Sequence, residues 1–333
     1  MNHLRFLNYV DEVARVGSIR QAADRLHIAP SAVNRRILDL EEELGTPLFE
    51  RLPRGVRLTT AGELFVAYIR SRAAQLEQVR SEIEDLQGLR RGNVRLVASQ
   101  ALAPVFLPRM VADFRASHPL VDVQVHFGDH LQALKSLRNF ETDLALVFNL
   151  APDADIARIA EIEQKLVATM HRTHPLAQRS DLRLRDCVDY PLVLPVRDIG
   201  GRQLLDQFLA LNAIKLRPVV ESNNFEFIRG YLRYEQAISF QIAVGAVIEG
   251  DDLVARDITD RGFPRGQLVL ASLRSRQLPV ISHAFAADLM AALQSGKISA
   301  GDFYSPQQKL PSTEMQKTHP QADGTTEKFI GKN

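Results

Sequence analysis

The stretch Ser18–Glu43, SIRQAADRLHIAPSAVNRRILDLEEE, constrains this chain more than any other. It reads as two helices with a short turn between them. Ser18 is a natural N-cap, because its side-chain oxygen can accept from a first-turn amide, and Ile19, Ala22, Ala23 and Leu26 then recur at helical spacing. The turn is His27-Ile28-Ala29, and Pro30 follows at a first-turn position where a missing N–H costs nothing. In the second helix Val33, Ile37, Leu40 and Leu44 fall on one stripe. At about 100° per residue, Ser31, Arg35, Leu38 and Glu42 lie on the opposite side, with Asn34 on its flank. Ser31, Asn34, Arg35 and Arg36 are donor-rich side chains able to meet base edges and phosphates in a major groove. Asp39 and Glu41 to Glu43 are acidic, so only the front of this helix can approach DNA, and the DNA-reading unit runs from Ile19 to Leu38.

Helix pairs of this kind also arise by accident, so the flanks decide. Net charge is +1, so any affinity for nucleic acid must come from a local patch. The segment 48–59 supplies one. It reads as a small β-wing whose strands carry Leu48, Phe49, Val56 and Leu58 and whose tip is Pro53-Arg54-Gly55. Arg51, Arg54 and Arg57 cluster there, suited to phosphate anchoring and minor-groove insertion. Before Lys135 all side-chain positive charge outside histidine is arginine, which suits bidentate contacts.

Upstream, residues 3–16 form a helix with Leu4, Leu7, Val10 and Val13 on one side, and Gly17 ends it. Downstream, Thr60-Ala61-Gly62-Glu63 reads as a capping box with Thr60 as N-cap. It opens a helix to about Leu89, in which Phe65, Ile69, Leu76, Val79, Ile83 and Leu86 give coiled-coil steps. An isolated helix of that length is poorly stabilised, so it is expected to be a dimerisation arm, ending in a hinge at Gly88 and Arg90-Arg91-Gly92.

From Val94 the pattern alternates. Strands at 94–98, 121–127 and 144–148, with helices between them, make βαβαβ and imply a mostly parallel sheet. A second set begins near Lys165, with strands at 166–170, 191–196, 217–221 and 237–241 and helices at 202–211, 225–233 and 244–249. A strand at 267–273 and a helix at 282–293 close it. Two such subdomains suit ligand capture in a cleft at strand C-termini. Beyond Ser295 the chain is polar and a disordered tail is expected.

Several function classes fall away. No apolar run reaches the roughly 18 residues of a membrane span, and acidic residues appear by position 12, so a soluble cytoplasmic protein without membrane association is expected. The lone Cys187 excludes an internal disulfide and a thiolate metal cluster and has no resolving partner. His126 and His130 flank a strand-to-helix turn, and His174-Pro175-Leu176 looks like a turn, so no metal site is expected; Asp129 reads as an N-cap. No G-x-S-x-G, P-loop or G-x-G-x-x-G occurs, so no enzyme and no cofactor are expected. The alternative function is that of a solute-binding protein, which explains the two subdomains but not residues 1–90.

The assembled features resemble the LysR-type transcriptional regulators. AADRLHIAPSAVNRRILDLEEELGTPLFER followed by GVRLTTAG carries the specific part, and SHPLVDVQV, the LKSL helix, THPLA and ESNNFEFIR carry a weaker one. The resemblance implies an N-terminal winged helix-turn-helix (3–60), a linker helix that dimerises (61–91) and an α/β periplasmic-binding-protein-like effector domain (92–294). In the last, subdomain I takes 93–163 and 266–294 and subdomain II takes 164–265. The implied partners are double-stranded promoter DNA, a second copy or a tetramer of the chain, and a small-molecule co-inducer, with RNA polymerase as a further candidate. Pro30-Ser31 stands where that family usually has Gln-Pro, Asn34 replaces the usual Ser, and YEQAISFQIAV replaces a Gly-rich, Pro-ending segment. Carried over by position, the effector cleft is lined by Ser99, Gln100, Phe148 and Asn149 from one subdomain and Val196, Arg197 and Asn223 from the other. Ser99 and Asn223 precede or begin helices, and Arg197 can clamp a carboxylate, so a small anionic metabolite is the expected effector.

Overall fold

The computed structural model describes residues 2–87, 91–246 and 252–295. Helices α1 (Asn2–Val16), α2 (Ile19–Leu26) and α3 (Pro30–Leu44) precede an antiparallel hairpin, β1 (Phe49–Leu52) and β2 (Gly55–Leu58). Val10, Val13, Ala22, Ala23, Val33 and Ile37 close the core between the three helices. Ser18 Oγ accepts from the Gln21 amide at 3.4 Å and caps α2, and His27, left-handed at φ 55°, ends it. Leu44, expected on the buried stripe, is exposed: the core under α3 ends near Leu40 and the helix stops at Gly45. Glu41 ties α3 to the root of the wing, its carboxylate accepting from the Leu48 and Phe49 amides at 2.7 and 3.0 Å. The wing also leans on the end of α1, where Val56 N–H donates to Gly17 O at 2.8 Å. A Cβ on Gly55, which sits at φ 110°, would overlap that same oxygen, so the turn needs glycine.

Helix α4 runs Thr60–Leu86. Its cap is Thr59, not Thr60: Thr59 is the last extended residue, and its Oγ1 accepts from the Gly62 amide at 3.0 Å while donating to Pro47 O. The expected seam also shifts. Val66 and Ile69 are buried, and Phe65 half-buried, against the three-helix core, because the first turns of α4 serve as its lid. The outward apolar ridge is Leu64 and Tyr68, then Val79, Ile83 and Leu86. Gly88 to Arg90, part of the expected hinge, lie outside the described residues.

The rest is two lobes built on one long strand. Strand β3 (Arg91–Ala98), α5 (Phe106–Ser117), β4 (Leu120–Phe127), α6 (His130–Arg138) and β5 (Leu144–Phe148) form the expected βαβαβ, with β3 parallel to both neighbours. Then come β6 (Ile156–His171), β7 (Asp181–Leu182), β8 (Leu192–Pro195), α7 (Gly200–Leu211), β9 (Pro218–Ser222), α8 (Phe225–Tyr231), β10 (Ile238–Ile242), β11 (Leu253–Ile258), β12 (Arg265–Leu273) and α9 (Val280–Gln294). The strand order is β4-β3-β5-β12-β6-β10-β8-β9.

The sheet is mixed rather than mostly parallel, because β6 and β12 carry the chain out of the first lobe and back, and β12 returns antiparallel to both β5 and β6. Residues Ile156–Lys165 of β6 pair with β12, and Leu166–His171 pair with β10 and β11. The first half of this strand is not legible in the sequence, since Arg158, Glu161, Glu163 and Lys165 interrupt its apolar positions. The helix expected at 244–249 is a single 3-10 turn, Ala243–Gly245, with 247–251 outside the described residues, as is the tail from 296.

Candidate nucleic-acid interface and ligand cleft

Helix α3 begins at Ala29-Pro30 with no side-chain cap; Pro30 has no N–H and the Ala32 and Val33 amides donate to Ala29 O at 3.0 and 3.3 Å, so the Ser31 amide is the one its first turn offers to an anion. Ser31 and Arg35 are exposed just behind that start, and Asn34 is half-exposed on the flank. The wing reaches back to this helix: Arg51 Nη2 donates to Asn34 Oδ1 at 2.7 Å. Arg57 is held by Glu50, which accepts from Nε at 3.2 Å and Nη2 at 2.6 Å and raises the guanidinium above its ordinary pKa. Arg36 lies 3.6 Å from Asp39. Arg35 and Arg54 are exposed, and no ion pair engages them among the described residues. The front of α3 and the wing tip therefore each carry an uncommitted positive charge. The Arg51–Asn34 bond and the Glu50–Arg57 pair are invisible in one dimension, because each needs the hairpin register or the fold of the wing onto α3.

Between the lobes lies a cavity of about 300 Å3. Strands β3, β4 and β5 end at its first wall, presenting Ser99, Gln100, Phe127, Asp129, His130 and Phe148. The opposite wall comes from the ends of β8 and β9 and from β10: Val196, Asp198, Gly200, Asn223, Phe225, Phe240 and Gln241. Ser99 Oγ accepts from the Phe148 amide at 3.0 Å. Gln100 spans the cleft, its Nε2 donating to Asn223 O at 2.8 Å and its Oε1 accepting from the Phe225 amide at 3.1 Å. Nearby the lobes touch closely, and a Cβ on Gly245 would overlap Ala101 O. Among the described residues the buried side-chain amide of Gln241 makes only long bonds, 3.5 Å to Thr169 Oγ1 and to Ala246 O, and His130 Nδ1 is buried without a partner.

Asp129 caps α6, its Oδ1 accepting from Gln132 N at 2.8 Å. Helix α7 has no side-chain cap, and Gly200 and Gly201 bring its N-terminus to the cavity wall. Among the described residues no lysine or arginine lines the cavity.

Two expected cleft residues are misplaced. Arg197 lies outside the cavity with 81% of its side chain exposed, 3.8 Å from Asp206, because the loop after β8 turns it away from the wall that Val196 lines. Asn149, at φ 55°, is spent on structure: its amide donates to Gln267 O at 2.7 Å and its Oδ1 accepts from Gln267 N at 3.0 Å, pinning β5 to β12. Asn223 lines the cavity, but the cap of α8 is Asn224. Sequence reasoning missed Arg202, which is buried and donates to Pro195 O at 2.8 Å, Asp206 at 2.9 Å and Glu221 at 2.5 Å, fixing the loop that carries Val196.

His171 bonds to Thr173 Oγ1 at 2.7 Å, whereas His174 is buried against Tyr190, and burial lowers its pKa. Cys187 is buried, and its thiol is pushed up to about 12, first by burial and then by Asp186 and Asp260. It is therefore held as an inert thiol.

A winged helix pair and a two-lobed sensing domain on one chain define a DNA-binding protein with an effector-binding domain. Comparison with known families agrees with the geometry. The LysR substrate binding domain matches residues 87–294, and the bacterial regulatory helix-turn-helix protein, lysR family, matches residues 4–63. The chain belongs to the LysR family and is a DNA-binding transcriptional regulator. It is 28% identical over 274 residues to the HTH-type transcriptional activator CmpR of Synechocystis sp. (strain ATCC 27184 / PCC 6803 / Kazusa), covering 82% of this chain and 90% of that protein. Its fold is similar to that of a full-length OxyR variant from Pseudomonas aeruginosa (TM-score 0.66, 22% identity, 86% and 94% of the two chains). It is also similar to full-length CbnR complexed with its target DNA (TM-score 0.61, 19% identity, 87% and 99%).

Proposed function

We propose that the regulator reads DNA through Arg35, Ser31 and Asn34 of α3, anchors phosphates through Arg54 and the uncapped start of that helix, and answers to a small molecule held between the lobes. The observation that carries the first part is the uncommitted charge at the front of α3 and the wing tip, on a chain whose net charge is only +1. Two copies joined along the exposed α4 ridge of Leu64, Tyr68, Val79, Ile83 and Leu86 set paired recognition helices on successive turns of a duplex. That role belongs in the cytoplasm, where promoter DNA is. No helix among the described residues is long and apolar enough to cross a membrane.

The effector carries a single anionic group, which the α7 N-terminus at Gly200 and Gly201 receives, while Phe127, Phe148, Phe225 and Phe240 pack the remainder. Asp129 and Asp198 in the wall, with no arginine to offset them, disfavour a second anionic group. Binding proceeds without turnover: the Ser99 hydroxyl is engaged by the Phe148 amide, which supports a recognition role for it. Rotation of the lobes about β6 on binding changes the spacing of the paired helices, as a shift between two populations.

Mobility-shift titration against genomic fragments and random competitor tests the DNA part. Sequence-specific retention that weakens with salt is expected, and equal affinity for competitor refutes it. Thermal-shift screening with monocarboxylates against dicarboxylates and phosphate esters tests the effector; stabilisation by the doubly charged compounds alone refutes the single-anion reading.

A further inference from the structure

The second half of α4 is docked on the first lobe, and one residue dominates the contact. Asp143, wholly buried just before β5, accepts from the Arg95 amide at 2.9 Å, Arg95 Nη2 at 3.1 Å, Ser282 Oγ at 3.1 Å and Arg276 Nη2. Arg276 is 2% exposed and donates also to Thr142 O at 3.0 Å. Two guanidinium charges thus meet one internal carboxylate. The second carboxylate comes from the helix: Glu77 Oε2 lies 2.6 Å from Arg95 Nη2 and 3.7 Å from Arg276 Nη2.

Even so the cluster is short of acceptors, since Nε of both Arg95 and Arg276 is buried without a partner. Burial pulls Arg276 below the ordinary arginine pKa; Asp143 and Glu77 oppose this and Arg95 adds to it. Without Glu77 the lobe would hold a surplus, poorly solvated positive charge, which a protein tolerates badly. The flanking contacts are the uncharged pairs Gln78 to Gln277 at 2.7 Å and Val280 N–H to Ser81 Oγ at 3.2 Å, and two ion pairs, Glu84 with Arg91 at 2.8 Å and Arg70 with Glu141 at 3.8 Å, each with a partner open to water, which screens it.

The cluster is also joined to the cleft along two of the strands that build it. Arg95 lies midway along β3, which ends at Ala98 just before Ser99, and Asp143 immediately precedes β5, which ends at Phe148. These strands pair in parallel register, Leu96 opposite Leu144, and their cleft ends are joined by the Ser99–Phe148 bond. A displacement of the cleft wall therefore reaches the arginine pair through two hydrogen-bonded strands.

We propose that Glu77 is a charge clamp through which the occupancy of the cleft sets the docking of the linker helix, and hence the spacing of the recognition helices. The two states are α4 clamped, with Glu77 in the cluster, and α4 released, with the arginines opened to water. The inference rests on the sensing role proposed for the cleft.

Hydrogen exchange on the full chain tests it. Glu77→Gln is expected to speed exchange of amides 76–86 about tenfold while the amides of β3 and β5 keep their protection. The double variant Arg95→Gln with Glu77→Gln removes the surplus charge. It should restore thermal stability to the lobe but leave α4 unprotected. Ser99→Ala, which frees the Phe148 amide in the cleft, should change α4 exchange in the wild-type background and not in Glu77→Gln. Equal effects in both backgrounds would overturn the link to the cleft, and unchanged α4 exchange in Glu77→Gln would overturn the clamp. On a genomic fragment that the wild type retains, hydroxyl-radical footprints should differ between wild type and Glu77→Gln in the distance between protected half-sites; identical footprints with a released α4 also overturn the proposal. A wild type that retains no fragment refutes the regulator reading, and the exchange experiments, which need no DNA, still decide the clamp.

Discussion

The two halves of this chain use arginine in opposite ways. In the winged domain Arg35 and Arg54 stand exposed and uncommitted, available to a partner the chain does not itself contain. In the sensing domain Arg202 and Arg276 are buried and bonded to carbonyls and carboxylates of their own fold. The difference separates a surface that recognises a polyanion from an interior that uses charge to fix strands and loops. Among the described residues the cleft between the lobes has no lysine or arginine in its lining, which leaves amides, hydroxyls, phenyl rings and a helix N-terminus as the groups on offer there.

The sharpest test removes one arginine from each class. Arg276→Ala takes one of two guanidiniums from buried Asp143 and leaves Thr142 O without its donor; with Arg95 still paired to the carboxylate, the loss is about 1–3 kcal/mol. Chemical denaturation should show that loss in the sensing domain, with the base preference within each half-site unchanged. Arg35→Ala should do the reverse, costing roughly 1–3 kcal/mol of sequence-specific binding and relaxing base preference, with the unfolding midpoint held. Should Arg35→Ala destabilise the fold, or Arg276→Ala prove silent in denaturation, the division between the halves collapses.

Within the winged domain the same comparison can be refined. Arg54→Ala is expected to weaken binding to all sequences alike and to reduce the salt slope by about one, because a phosphate contact carries no base information. Arg51→Ala should act differently. Arg51 occupies Asn34 Oδ1, so it turns the amide's donors outward, and its removal frees an oxygen and a donor together, the pair that matches adenine. Binding-site selection should then move toward adenine at the base pair Asn34 faces. A uniform loss in Arg51→Ala, with base preference intact, would place it beside Arg54 as a phosphate anchor.

What the sequence discloses follows the range of the contacts. The winged domain is built from near neighbours, so Ser18, Gly17 and the Val33–Ile37 stripe announce themselves through caps and periodicity, and they fold as read. Besides Leu44, which lies past the end of the core, two misreadings there are one-residue shifts: Thr59 for Thr60, and Leu64–Tyr68 in place of Phe65–Ile69 on the free ridge. Both arise because the core that α4 covers decides which face turns inward. In the sensing domain the informative contacts join residues far apart in sequence. Strand β6 changes partner between Lys165 and Leu166; its apolar second half reads as a strand, but the charged first half that pairs with β12 does not. Ser99, Gln100, Phe148, Val196 and Asn223 do meet in one cavity, since each follows or ends a strand. Whether a loop side chain such as Arg197 points in or out depends on the path of a buried neighbour, Arg202, that periodicity does not reveal.

The smallest expected effect is therefore the most pointed. Arg197→Ala should leave the affinity for a stabilising monocarboxylate unchanged in calorimetry, since its guanidinium faces solvent beside Asp206 and touches no part of the cavity. Gln241→Ala, by contrast, removes a buried amide held only by 3.5 Å bonds, a group free to exchange its weak partners for the ligand, and should weaken binding by about 1 kcal/mol or more. A strong loss in Arg197→Ala would mean that the loop after β8 swings in on binding and that the sensing domain, like the winged one, recognises its partner with an exposed arginine. The contrast between the halves would then be one of timing, with the sensor's arginine committed only after the ligand arrives.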